Sequence, residues 1–172
     1  VAEEALDTLL HTRDGQLCDV MIDKAALEAI YEAGKRSGEP IIENYADTTV
    51  AIADIKIAVR SRKTGKSGDF MRSAMAECRS VNAEQLIRAA LSGEEEIARY
   101  LEGASNAGGA DALRESPSAF ERWCDNRMIE TLKTQKYETF SVGPLRGYLI
   151  ARENEIKTVR IILTGKKNGF PD

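Results

Sequence analysis

The stretch Pro144-Leu-Arg-Gly-Tyr-Leu-Ile-Ala-Arg-Glu-Asn-Glu-Ile-Lys-Thr-Val-Arg-Ile-Ile-Leu-Thr-Gly-Lys-Lys-Asn-Gly169 decides the fold class. Leu145, Leu149, Ile156, Val159 and Leu163 recur at three-, four- and seven-residue spacings, which places them along one helix face, interrupted only by Arg152. That face is expected to be buried. Pro144 suits a first helical turn, where its missing N–H is not needed, and Gly165 suits the residue just past the end, where positive φ is wanted. Glu153 and Lys157 stand four apart in the favourable order, and Glu155, Lys157 and Arg160 keep the outer side polar.

A weaker copy of this stretch lies about one hundred residues upstream. Asp54-Ile55-Lys56 answers Glu155-Ile156-Lys157 at a separation of 101, and Thr64-Gly65-Lys66 answers Thr164-Gly165-Lys166 at a separation of 100. Asp23 and Asp125 lie 102 apart, each on an amphipathic stretch leading to a proline, Pro40 or Pro144, and then to a long helix. The pattern predicts two related helical units. Acidic-Ile-Lys and Thr-Gly-Lys are also common at helix ends, so coincidence is the competing explanation.

Outward from these two stretches the chain reads as a succession of helices. Glu3 to Leu10 reads as the end of a helix, broken at Arg13-Asp14-Gly15, and the next starts near Asp19 with an apolar stripe of Val20, Leu27, Ile30 and Tyr31, stopping at Gly34 or Gly38. Pro40 opens a long helix with Ile41, Tyr45, Ile52, Ile55 and Val59 on one face, Asp54 and Lys56 pointing elsewhere, and a basic tail from Arg60 to Lys66. Phe70 to Cys78, Ala83 to Leu91 after an Asn82 cap, and Glu94 to Leu101 after a Ser92 cap read as short helices. The Gly- and Ala-rich run from Gly103 marks a flexible connection over 103–115, between a unit at 1–102 and a C-terminal unit at 116–172. Ser116-Pro117 opens a helix carrying Phe120, Trp123, Cys124, Arg127, Met128 and Leu132 to about Tyr137. No run of period-two alternation is present, so the class is all-α.

Composition narrows the function. The 172 residues are 42% hydrophobic, enough for a real core, and 30% charged with a net charge of −4, which gives no global attraction to nucleic acid or acidic lipid. No apolar run is long enough to span a bilayer, and no charged-then-apolar leader opens the sequence. Because the first residue is Val1, a fragment or a processed form is expected. Cys18, Cys78 and Cys124 are odd in number and far apart, which fits reduced thiols of the cytosol.

Candidate chemistry fails on inspection. Thr64-Gly65-Lys66-Ser67 ends like a phosphate-binding loop, yet position 60 is Arg where that loop needs glycine, and a helix precedes it where a strand is required. A helix C-cap with solvated lysines explains it. His11 is the single histidine, which leaves no Ser or Cys triad singled out and excludes zinc sites with two histidines. Glu94-Glu95-Glu96 fits a solvated helix N-terminus. The basic cluster Arg60 to Lys66 has no interleaved aromatic residues, so nucleic-acid binding is not expected. The sequence thus designates no catalytic residue, cofactor or metal ligand, and points to an interaction role. Arg60, Arg62, Lys63 and Lys66, with Lys166 and Lys167 at the matching end of the second unit, are the candidate partner contacts, to be weighed against ordinary solvation.

The segment Gly143 to Gly169 closely resembles the C-terminal signature of the C subunits of archaeal and bacterial A/V-type ATP synthases, whose eukaryotic relative is the d subunit of the vacuolar ATPase. Phe120-Glu-Arg-Trp-Cys-Asp125, Ala53-Asp-Ile-Lys56 followed by Arg60, and the helix start from Asp19 to Asp23 extend the resemblance more loosely over most of the chain. It implies a funnel-like, pseudo-threefold helical protein of three related units, of which this chain carries the last two. It also implies a non-catalytic central-stalk spacer on the cytoplasmic end of the membrane proteolipid ring. There it would receive the central shaft subunits and pass torque during proton or sodium transport. A free-standing helical adaptor built on the same fold is the alternative, and a small nucleotide hydrolase would rest on Thr64 to Ser67 alone.

Overall fold

The computed structural model describes residues 2–103, 106–133 and 143–169. Among them there are helices and connections but no strand, as the periodicity requires. In order they are α1 (Ala2–Thr12), α2 (Gly15–Arg36), α3 (Pro40–Thr64), α4 (Gly68–Ala74), α5 (Ala83–Ser92), α6 (Glu94–Gly103), α7 (Ala107–Glu115), α8 (Pro117–Lys133) and α9 (Gly143–Lys167). The chain forms two compact units, Val1–Met128 and Ile129–Asp172.

The first unit is built around α3, against which α2, α4, α5 and α6 pack. Pro40 opens this helix and Gly65, at φ 66°, closes it in the left-handed conformation that glycine adopts without strain. Val50, Ile55 and Ala58 of α3 are fully enclosed with Met71, Leu86, Ile87, Ile97 and Leu101, and Phe120 and Cys124 of α8 complete the core. Close approach of α2 to α3 depends on Gly34. A Cβ there would lie 2.4 Å from that of Ala46. Likewise Gly109 of α7 leaves room for the Trp123 ring, to which an added Cβ would come within 2.7 Å.

Several boundaries differ from the sequence expectation. The second helix starts at Gly15, because Asp14 caps it by accepting from Gln16 and Leu17 N–H at 3.0 and 3.2 Å; Asp19 lies inside. Ile30, expected on its apolar stripe, is exposed, and Val20, Leu27 and Tyr31 are half-buried. Ser92 belongs to α5, where its hydroxyl donates to the Arg88 carbonyl, and Gly93 separates α5 from α6. Ser116 does cap α8, accepting from Ala119 N–H at 3.0 Å. Residues 107–115, expected as part of a flexible connection, form α7. That helix is tied to α6 by Arg114, which reaches Glu95 at 2.7 Å and Glu102 at 2.6 Å. Residues 134–137, expected at the end of α8, lie outside the described residues.

In the second unit α9 continues through Gly165 to Lys167, and positive φ falls instead on Gly169 at 71°. The Thr-Gly-Lys correspondence is therefore a match of sequence and not of helix ends. The face expected to be buried is exposed, from 48% at Val159 to 74% at Leu145. Spacing specifies that a face is apolar, but not what covers it. Within Ile129–Asp172 the described residues offer only the last turn of α8 as a second helix.

Candidate partner-binding site

The basic tail of α3 becomes a structured end. Arg60 reaches Glu121 of α8 at 3.4 Å, Arg62 donates to the Leu91 carbonyl at 3.4 Å, and Lys63 stands 4.0 Å from Glu94. Lys66, just past the cap, donates to Gln16 Oε1 of α2 at 2.6 Å and lies 4.9 Å from the centre of the Phe70 ring. The fold thus gathers Arg60, Arg62, Lys63 and Lys66 at one end of α3 and anchors each to its own chain. Lys166 and Lys167 form the last turn of α9 in the second unit.

A crevice of about 280 Å³ opens beside this end, between α2, α3 and α4. Val20, Ile57, Phe70 and Ala74 supply its apolar lining, and Asp23, Arg60, Ser61 and Lys66 are among its polar groups. Ser61 is only 3% exposed. A second crevice, lined by Arg79, Arg99 and Tyr100, has cations already engaged: Arg79 pairs with Glu43 at 3.0 Å and Arg99 with Glu96 at 2.6 Å.

Two buried carboxylates on α3 were missed by the sequence reading. Asp54, expected to point away from the core, is fully buried, and so is Asp47 one heptad earlier. They hold the non-helical segment after α4. Asp47 accepts from Arg79 N–H at 2.8 Å, from Ser80 N–H at 3.2 Å and from the Ser80 hydroxyl. Asp54 accepts from Ala76 N–H at 3.2 Å, leaving its Oδ2 without a hydrogen bond. This capture ends α4 at Ala74, where the sequence suggested helix to Cys78: amides drawn to side chains of α3 cannot continue a helical ladder. Burial pushes the Asp54 carboxyl up to about 7, against the smaller opposing pull of Ala76 N–H and Lys24. The seven-residue spacing on the face of Val50 and Ile55 was the available signal.

These groups do not assemble a reaction centre. Burial raises the Cys78 thiol to about 11 and the Cys124 thiol to about 12, which keeps both protonated and unreactive near neutral pH. Glu121 is held below the usual carboxylate range, chiefly by the hydrogen bond from Lys56, which stands 2.6 Å away in a half-buried pair joining α3 to α8. His11 is exposed on α1 and contacts the Asp7 carbonyl at 2.8 Å. Among the described residues no His, Cys, Asp or Glu cluster could hold a metal ion, and no helix is long and apolar enough to cross a membrane.

The described residues thus form an all-helical framework whose charged groups join helices, with a basic end and an adjoining crevice. Over residues 1–172 the chain matches the model of the ATP synthase (C/AC39) subunit family, and it belongs to that family. It is similar to the A-type ATP synthase C subunit of Methanocaldococcus jannaschii, at 27% identity over 86% of this chain and 40% of the relative. It is also similar to the A-type ATP synthase C subunits of Methanobrevibacter smithii and Methanothermobacter thermautotrophicus, at 23% and 27% identity over the full chain and 48% of each relative. The chain therefore spans less than half the length of these relatives. No solved structure matches it.

Proposed function

We propose that this chain acts as a non-catalytic central-stalk spacer of an A/V-type rotary ATP synthase, coupling the central shaft subunits to the membrane proteolipid ring during proton or sodium transport. The family match over residues 1–172 is the observation that carries this reading. In this role the chain is peripheral to the membrane on its cytoplasmic side, contributing two related helical units to a pseudo-threefold, funnel-like spacer. Packed helices suit the task, because close-packed interiors have low compressibility and transmit strain. The electrostatic ties of α3 to α8 through Lys56 and Glu121, and of α6 to α7 through Arg114, support stiffness in the first unit.

Arg60, Arg62, Lys63 and Lys66, with Lys166 and Lys167, are proposed as contacts to acidic partner surfaces. Their exposure supports this for Arg60, Arg62 and Lys63, and their internal partners set the orientation they present. The test is a pull-down of the chain against purified shaft subunits and against detergent-solubilised proteolipid ring, at low and moderate salt. Retention of either, weakening as salt rises, is expected. Failure to retain either leaves the free-standing adaptor in its place.

A further inference from the structure

We propose that the crevice between α2, α3 and α4 receives an acidic side chain of a partner protein, carried beside an apolar residue. Its lining supplies both halves of that recognition. Val20, Ile57, Phe70 and Ala74 offer apolar contact, and Lys66, with Arg60 that also reaches Glu121, brings positive charge to a lining whose one carboxylate is Asp23.

Lys66 is the central group. Its ammonium is set by the Gln16 oxygen at 2.6 Å and by the Phe70 ring at 4.9 Å, neither of which neutralises it. Among the described residues no carboxylate lies within ion-pairing distance of it, although Asp23 lines the same crevice. Arg60 is 73% exposed and held by Glu121 only at 3.4 Å, so it retains donors for an incoming oxygen. The Ser61 hydroxyl adds a neutral hydrogen-bonding group to the same lining. In the second crevice Arg79 and Arg99 are both paired, whereas here Lys66 has no carboxylate partner among the described residues, which is why the assignment falls here.

The shape of the charge favours a polypeptide over a free carboxylate. Arg62 and Lys63 continue the positive surface from the same helix end without lining the crevice, and one small acid filling about 280 Å³ would leave them unused. A segment with one acidic residue in the crevice and others outside engages both. This deepens the partner reading above, but its test needs no assembled complex, so either can fail alone.

The test is an amide chemical-shift titration of the 172-residue chain with a capped hexapeptide of glutamate and leucine. Its glutamine counterpart and hexanoate serve as separate arms. Saturable shifts at Val20, Ser61 and Lys66 are expected with the glutamate peptide, with affinity at least about ten-fold weaker for the glutamine peptide and for Lys66→Gln. Arg99→Gln, in the other crevice, should bind as the unsubstituted chain does. Equal binding of the two peptides, no effect of Lys66→Gln, or shifts confined to other elements would overturn the site. Hexanoate binding as tightly as the peptide would overturn the partner-protein assignment.

Discussion

Asp54 carries an electrostatic cost in the fold. Its carboxyl is fully buried with one N–H donor, and burial raises it from 3.8 to about 7. The folded protein thus keeps a proton there that the unfolded chain releases above about pH 4. At this site the folded state binds more protons through that window, so the Asp54 contribution to stability falls as pH rises from about 4 to about 7 and is level beyond it. The stabilising contribution is fully present below the unfolded value and is lost by the folded one, a difference of about 4 kcal/mol. Asp54→Asn keeps an acceptor for Ala76 N–H and removes the charge. Urea denaturation between pH 4 and 8 should show stability falling less steeply with pH, or rising, in the variant relative to the unsubstituted chain; equal slopes would show that Asp54 does not contribute to it. A carboxylate between alanine and isoleucine reads as an outward residue in sequence, because its buried partner, the Ala76 amide, lies 22 positions away. The basic cluster was legible because helix-end charge is local information. Its crevice was not, since that needs α2 and α4 placed beside it.

The elements themselves were largely written in local signals: Pro40 and Gly65 bounding α3, Asn82 capping α5, Ser116 capping α8. Expectation failed where a distant group intervened. Residues 75–78 carry helix-forming types, yet Asp54 captures the Ala76 amide and Asp47 those of Arg79 and Ser80 just beyond, which is tertiary override of propensity. Gly34 shows the same dependence in packing. Helix propensity alone favours Ala there by about 1 kcal/mol, but the added methyl would stand 2.4 Å from the Ala46 Cβ and push α2 from α3. We expect Gly34→Ala to lower stability by about 1–3 kcal/mol, as overpacking does. Gly147→Ala in α9, where nothing lies within 4 Å, should leave stability unchanged or raise it by up to about 1 kcal/mol. Paired denaturation curves check this, and a Gly34→Ala midpoint at or above that of the unsubstituted chain would contradict the close approach.

Over the whole molecule, burial and apolar patterning part company. The core cluster runs from Ala51 to Cys124, entirely inside Val1–Met128, whereas α9 carries a helix-length apolar stripe that is exposed. Two stretches that look alike in sequence therefore contribute differently: α3 is the hub of a core, and α9 presents its stripe. If the core is self-sufficient, removing α9 should leave the first unit standing. Trp123, the single tryptophan, stacks on Phe120 with ring centres 6.2 Å apart and reports on that core. A chain ending at Lys133, with α8 kept whole, should unfold in urea with the fluorescence midpoint of the 172-residue chain and the same slope. The slope tracks the surface exposed in the transition that Trp123 follows. A lower midpoint would mean that α9 stabilises the first unit. An unchanged one would leave the stripe of Leu145, Leu149, Ile156, Val159 and Leu163 without a part in that core, available for contacts in a larger assembly.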